Sequence, residues 1–256
     1  MQQKNYFSQS DAILSVMGRV STAGQTATVV VYEQLKADIL AGRFAPGQRL
    51  KIQELCEGRG VNVNAMREAL SRLAGEGLAQ AIPRQGFTIT PISREHLIDL
   101  TAVRVALETT IIQWSVSRGD TAWAASVVAA HYTLENTPMI ESADHDQVSD
   151  VWMQAHSAFH AALLAGSGST IGCGIAANLA DTAELYRRMS ITMGPSDRDI
   201  AGEHRALMDA ALARDGQLAA ERIAAHYNRT AENLLRAMGN LADNTTLTNT
   251  AHSNAL

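Results

Sequence analysis

The stretch from Val61 to Ile89, VNVNAMREALSRLAGEGLAQAIPRQGFTI, constrains the fold of this chain more than any other. Met66, Ala69, Leu70 and Leu73 recur at three- and four-residue spacing, which puts them on one face of a helix. Asn62 and Asn64 lead that helix with polar side chains, and Arg67 and Arg72 fall off its apolar face. Gly75 and Gly77 end it, since glycine adopts the backbone angles of a helix terminus at little cost. Two strand-like pieces follow, near Ala79–Ile82 and Phe87–Thr90, joined by Pro83-Arg84-Gln85-Gly86. A helix with a polar, arginine-bearing face and a hairpin with a basic tip make the arrangement of a winged helix-turn-helix. The bland alternative is a surface helix packed on an ordinary hairpin.

The upstream segments favour the first reading. Residues 30–41 form an amphipathic helix with Tyr32, Leu35, Ile39 and Leu40 inward, stopped by Gly42 and followed by a turn at Pro46-Gly47. A short second helix covers Ile52–Glu57, and Gly58 and Gly60 allow a sharp turn before the long stretch begins. Residues 1–28, rich in Gln, Ser, Thr and Ala, show little periodicity and read as a mobile arm. Residues 29–92 are thus one DNA-binding module.

After Pro91 and Ser93 the pattern is helical throughout. Apolar spacing of three and four marks Arg94–Ser117, Thr121–Glu135, Gln147–Ala165, Ile171–Met189, Asp197–Ala213 and Gln217–Met238, with Ser196 and Asp199 as caps for the fifth. Residues 93–239 read as an all-α antiparallel bundle, and the Asn/Thr-rich stretch 240–256 as a frayed tail. The fold class is mainly α: a winged helix-turn-helix with a small hairpin wing, then the bundle.

Charge divides at the same boundary. Residues 1–95 carry 11 Lys+Arg against 8 Asp+Glu, a net of +3, and residues 96–256 carry 10 against 18, a net of −8. A mildly basic module on an acidic body suits double-stranded DNA as a partner. No apolar run approaches the ~20 residues of a membrane helix. Cys56 and Cys173 lack metal spacing and read as small hydrophobes in a reducing, cytoplasmic compartment.

Four of the eight histidines fall in the helical part with informative spacing. His156 and His160 share a helix face. His204 lies 12 residues before Gly216 and His226 lies 10 after it, so antiparallel helices would bring them to similar depth. Two imidazoles at i and i+4 plus two from neighbouring helices can hold a divalent ion such as Zn²⁺ or Ni²⁺. The alternative is that some are ordinary core or surface histidines. A helical His-site metalloenzyme with an accessory winged helix is the rival function. His156-Ser157-Ala158-Phe159-His160 lacks the glutamate of a zinc protease, and no nucleophile elbow or phosphate loop is present, so the chain reads as a non-enzyme. A winged-helix interaction module without a DNA target is a third reading.

Both halves resemble one group. Ile39-Leu40-Ala41-Gly42, Pro46-Gly47-Gln48-Arg49-Leu50, Arg67-Glu68-Ala69-Leu70, Arg72-Leu73, Glu76-Gly77-Leu78 and Gly86-Phe87 resemble the winged helix of GntR-family transcriptional regulators. Arg104 with Glu108, Phe159-His160, Glu203-His204-Arg205-Ala206 and His226 resemble the helical FCD domain of the FadR subgroup. The resemblance implies a homodimer that binds operator DNA, usually as a repressor, under control of a small carboxylic acid. It implies DNA contacts from Arg49, Asn62, Asn64, Arg67, Arg72, Arg84, Gln85 and Gly86, and an effector site at Arg104, His156, His160, His204 and His226. Two departures stand out. Asn62, Val63 and Asn64 replace the family's Ser and Arg at the reading end, so base preference does not carry over. His156 stands where the family has an Asp ligand, so a bound metal would keep its full charge and attract an anionic effector more strongly. In a site without metal, protonatable histidines would instead bind the acid directly.

Overall fold

The computed structural model describes the backbone of residues 27–140, 148–190 and 198–253, with side chains described as far as residue 188 in the second span and residue 239 in the third. The arm expected over residues 1–28 lies outside these residues apart from its last two, which open helix α1 (Ala27–Leu40). Ser196 lies outside them as well.

The N-terminal module follows α1 with strand β1 (Arg49–Leu50), helices α2 (Ile52–Arg59) and α3 (Val63–Gly75), and strands β2 (Ala79–Ile82) and β3 (Gly86–Ile89). The sequence foresaw the hairpin but not β1, which pairs antiparallel with β3 to give a three-stranded sheet of order β1-β3-β2. Asn62 caps α3 by accepting a hydrogen bond from the Ala65 amide at 2.9 Å. The apolar stripe of α3 is fully buried: Met66, Ala69, Leu70 and Leu73 share one core with Leu35 and Ile39 of α1 and Phe87 and Ile89 of β3.

The second half is helical: α4 (Arg94–Arg118), α5 (Thr121–Glu135), α6 (Asp150–Ala165), α7 (Thr170–Ser190), α8 (Ile200–Leu212) and α9 (Gly216–Ser253). Polar caps set the starts: Ser93, Asp120 and Asp199 accept from the amides of His96, Trp123 and Gly202. The core gathers Ile112, Val127, Phe159, Leu163, Leu207 and Ile223. Helix α9 continues to Ser253, past the point where the sequence reading placed a frayed tail from residue 240.

Helix α7 joins the halves. Leu185 is buried in the core of the N-terminal module, a burial that stabilises by roughly 1.5–3 kcal/mol for a leucine. Asp181 pairs with Lys36 of α1 at 2.7 Å. Thr182 lies so close to Gly77 that a Cβ there would sit 3.1 Å from the Thr182 hydroxyl. Gly77 also has φ +81°, so this contact at the end of α3 depends on glycine twice over.

Candidate functional site

The exposed face of the winged helix is built from α3 and the wing. Asn64 and Arg67 are exposed on the first turns of α3, and Arg84 and Gln85 are exposed at the wing tip. Arg84 (φ 63°) and Gly86 (φ 94°) both take the left-handed conformation that turns the hairpin tightly. Arg49 donates to the Gln85 carbonyl at 2.9 Å, tying β1 to the tip. Asn62 spends its side-chain oxygen on the cap, leaving its amide NH₂ as its free donor group. Arg72 stands differently from Arg67 while staying more than half exposed. Its guanidinium lies 3.6 Å over the Tyr32 ring and pairs with Glu76, so it braces α3 against α1 rather than standing with Arg67.

The four histidines converge. Buried donor atoms of His156, His160, His204 and His226 all lie within 4.8 Å of one another, and His204 and His226 meet with ring centroids 4.8 Å apart across the α8–α9 hairpin. His156 Nδ1, His160 Nε2 and His204 Nε2 are buried with no hydrogen-bond partner. Buried polar atoms are seldom left so, and three converging on one point fit a cation. The opposite ring nitrogens of two of the four are held. His226 Nδ1 lies 2.8 Å from Glu203, which leaves Nε2 for a metal. The Tyr227 hydroxyl donates to Glu108 and can accept from His160 Nδ1 at 3.3 Å, which leaves His160 Nε2 for a metal. Such partners fix tautomer and orientation. The donor set therefore fits a nitrogen-preferring divalent ion. The carboxylates sit one step out, Glu203 against His226 and Glu108 against the Tyr227 hydroxyl that reaches His160, and each is itself paired with arginine.

Burial, followed by mutual repulsion among the rings, pushes His156 and His160 well below the ordinary histidine value. Burial first lowers His204 to about 3 and His226 to about 4. All four are neutral at pH 7, the form that ligates metal. Histidines gripping an acid directly would take a proton only where the acid's own charge offsets this burial. Burial works to raise the Glu203 carboxyl, but hydrogen bonds from Arg198, His226 and Arg229 outweigh it and hold Glu203 ionised.

A cavity of about 440 Å³ opens beside His156 and His160, between α6 and α7. Arg104 lines it, but not as the exposed ion pair that its spacing from Glu108 alone would allow. It and Glu108 are both buried, 2.9 Å apart, with the guanidinium 4.0 Å over the Tyr227 ring. Sequence reasoning missed Arg187, Tyr227 and Asp181, and gave Glu203 no role of its own. Glu203 and Tyr227 adjoin His204 and His226 in the chain, and that adjacency was the available signal. Arg187 and Asp181 carry none, because their place depends on how α7 docks.

Residues 27–89 match the model of bacterial regulatory proteins, gntR family, and residues 99–229 match the FCD domain. The chain is 35% identical to an uncharacterized HTH-type transcriptional regulator, BphR, of Paraburkholderia xenovorans (strain LB400), over 76% of this chain and 80% of that protein. It is 30% identical to the HTH-type transcriptional repressor GlaR of Escherichia coli (strain K12), over 76% of this chain and 90% of the relative. The solved structure of E. coli McbR/YncC shares the fold, with a TM-score of 0.68 at 20% identity, covering 83% of this chain and 98% of that one. These likenesses give the metalloenzyme alternative no support. No helix among the described residues is long and apolar enough to cross a membrane. A DNA-binding half and an effector-binding half, each matched in the expected order, place this chain in the gntR family: it is a DNA-binding transcriptional regulator with an FCD domain, not an enzyme.

Proposed function

We propose that the protein is a cytoplasmic, homodimeric repressor whose grip on operator DNA is set by a small organic acid bound at a metal held by His156, His160, His204 and His226. Arg67 and Asn64 read or clamp the major groove, Asn62 contributes its free amide, and Arg84, Gln85 and Gly86 bring the wing to the backbone, with Arg49 holding its tip. Zn²⁺ or Ni²⁺ is the expected ion. It would supply a fixed positive charge for the acid's carboxylate, which the neutral imidazoles themselves do not carry.

One observation carries this reading: two of the three residues with orphaned histidine nitrogens, His156 and His160, line a cavity whose α7 wall docks on the DNA-binding module through Asp181, Thr182 and Leu185. A ligand changes DNA affinity only if it favours one placement of that helix over another. The exposed apolar side chains Val103 and Trp114 on α4 and Ile171 and Ile175 on the adjoining α7 support a second copy as partner. The test combines elemental analysis with native mass spectrometry of the purified protein. Stoichiometric metal in a dimer, lost in His204→Ala, is the expected result; a metal-free native protein, or equal metal in the variant, would overturn the metal site.

A further inference from the structure

We infer that the effector is a monocarboxylate with an apolar body of aryl or branched-alkyl size, held carboxylate-first at the histidine end of the α6–α7 cavity. This deepens the sensor reading above and rests on it.

The cavity has two chemically different ends. Helices α6 and α7 run antiparallel across the short break at Gly166–Ser169, so the start of α7 meets the end of α6: Cys173 Sγ lies 3.5 Å from the Leu164 carbonyl. Arg187 lies far along α7 from Cys173, about 21 Å at the rise of a helix, and its charge bears on His156 and His160. The histidines, Arg104 and Arg187 therefore mark one end, and Leu164 and Cys173 the other. Arg104 and Arg187 are the lining residues with cationic side chains, and both stand at the histidine end. Arg104 is paired there with Glu108 and Arg187 with Glu184, so a metal held by the histidines would supply the main positive charge for a carboxylate at this end.

Beyond that end the wall is Ala161, Leu164, Cys173, Ala176, Ala177 and Ala180. The small side chains of α7 leave room for a ring or branched chain, and the cavity volume lies within the range of pockets that enclose small organic ligands. Among the lining residues the wall has no cationic side chain to pair with a second anion. Its one charged member is Asp181, a carboxylate already paired with Lys36. The polar side chains at the far end are the neutral hydroxyls of Ser169 and Thr170, and Ser169 accepts from the Gly172 amide at 3.1 Å. A dicarboxylate or polyhydroxylated acid would bury polar groups against alanines without recovering the hydrogen bonds lost from water. An apolar body gains from the same wall.

Isothermal titration of the metal-loaded protein with phenylacetate, adipate, citrate and phenylacetamide tests this, with operator binding measured in parallel by gel shift. Phenylacetate is expected to bind at least tenfold tighter than adipate or citrate, with a negative heat-capacity change. Phenylacetamide, lacking the charge, is expected to bind at least tenfold weaker than phenylacetate. Adipate or citrate binding as tightly as phenylacetate would overturn the assignment while leaving the sensor reading intact if those acids shift operator affinity. Binding of no acid at all would sink both. Ala177→Arg puts a cation on the wall and is expected to weaken phenylacetate and strengthen adipate, each about tenfold; an unchanged ranking would also overturn the role of the wall.

Discussion

Tyr227 shows how much one hydroxyl can decide. It bridges Glu108 and His160, and so sets which nitrogen of His160 faces the other three histidines. Tyr227→Phe keeps the ring under Arg104 and removes only that bridge. Metal affinity is expected to fall roughly 10–100-fold, the usual effect of losing such a support, and a competition titration with a chelator measures it; unchanged affinity would remove Tyr227 from the site. Glu108 is more than a bridge, because it also neutralises buried Arg104. Glu108→Ala leaves that charge unpaired and is expected to destabilise the fold by about 3–5 kcal/mol, readable in denaturant unfolding. On the DNA side, Arg67→Ala is expected to cost ~1–3 kcal/mol of operator binding if it pairs with a base. A fluorescence anisotropy titration at fixed salt checks this. Arg72→Ala should instead appear mainly as lost stability, because Arg72 is spent on Tyr32 and Glu76.

Among the elements, α7 has the two-sided role. One of its faces lines the cavity, and its neighbouring residues Asp181, Thr182 and Leu185 grip the winged helix. The Lys36–Asp181 pair is half-buried at 21% and 24% side-chain exposure, so its own contribution to stability is small. Its worth lies in linkage. Asp181→Asn is expected to shrink the effector's influence on operator affinity by more than any change in effector binding itself explains. Paired titrations with and without operator measure that coupling, and a full native response would show that α7 transmits through Leu185 and Thr182 alone. Gly77→Ala tests the other contact. It forces a side chain to φ +81° and towards Thr182, and should destabilise by about 1 kcal/mol or more. The periodicity of α7 was plain in the sequence, but its docking was not. Apolar spacing says which face is buried, not whether a single leucine crosses into a second core.

For the whole molecule, the charge asymmetry between the +3 and −8 portions places the attraction for DNA at one end of the chain, and operator affinity should fall steeply as salt rises. The histidine cluster adds a pH dependence with a definite sign. In the folded, metal-free protein the four rings resist protonation, with His204 near 3 and His226 near 4, while in the unfolded chain they titrate near 6.5. Above that value neither state binds these protons. As pH falls from about 6.5 towards 3–4 the unfolded state takes them up and stability is lost. Thermal unfolding of the metal-free protein between pH 7 and pH 5 is expected to show a falling midpoint; a flat or rising midpoint would contradict the burial of the cluster. By itself the sequence determined the two-part plan, the apolar face of α3, the hairpin wing and the equal depth of His204 and His226, because helix and strand periods and turn residues are local properties. Only the tertiary structure decided that Arg72 is a brace, that Arg104 is buried against Glu108 and Tyr227, and that α7 joins cavity to winged helix. Those outcomes depend on how far a side chain reaches across packed helices, and that is set by the burial of the whole core rather than by any window of the chain.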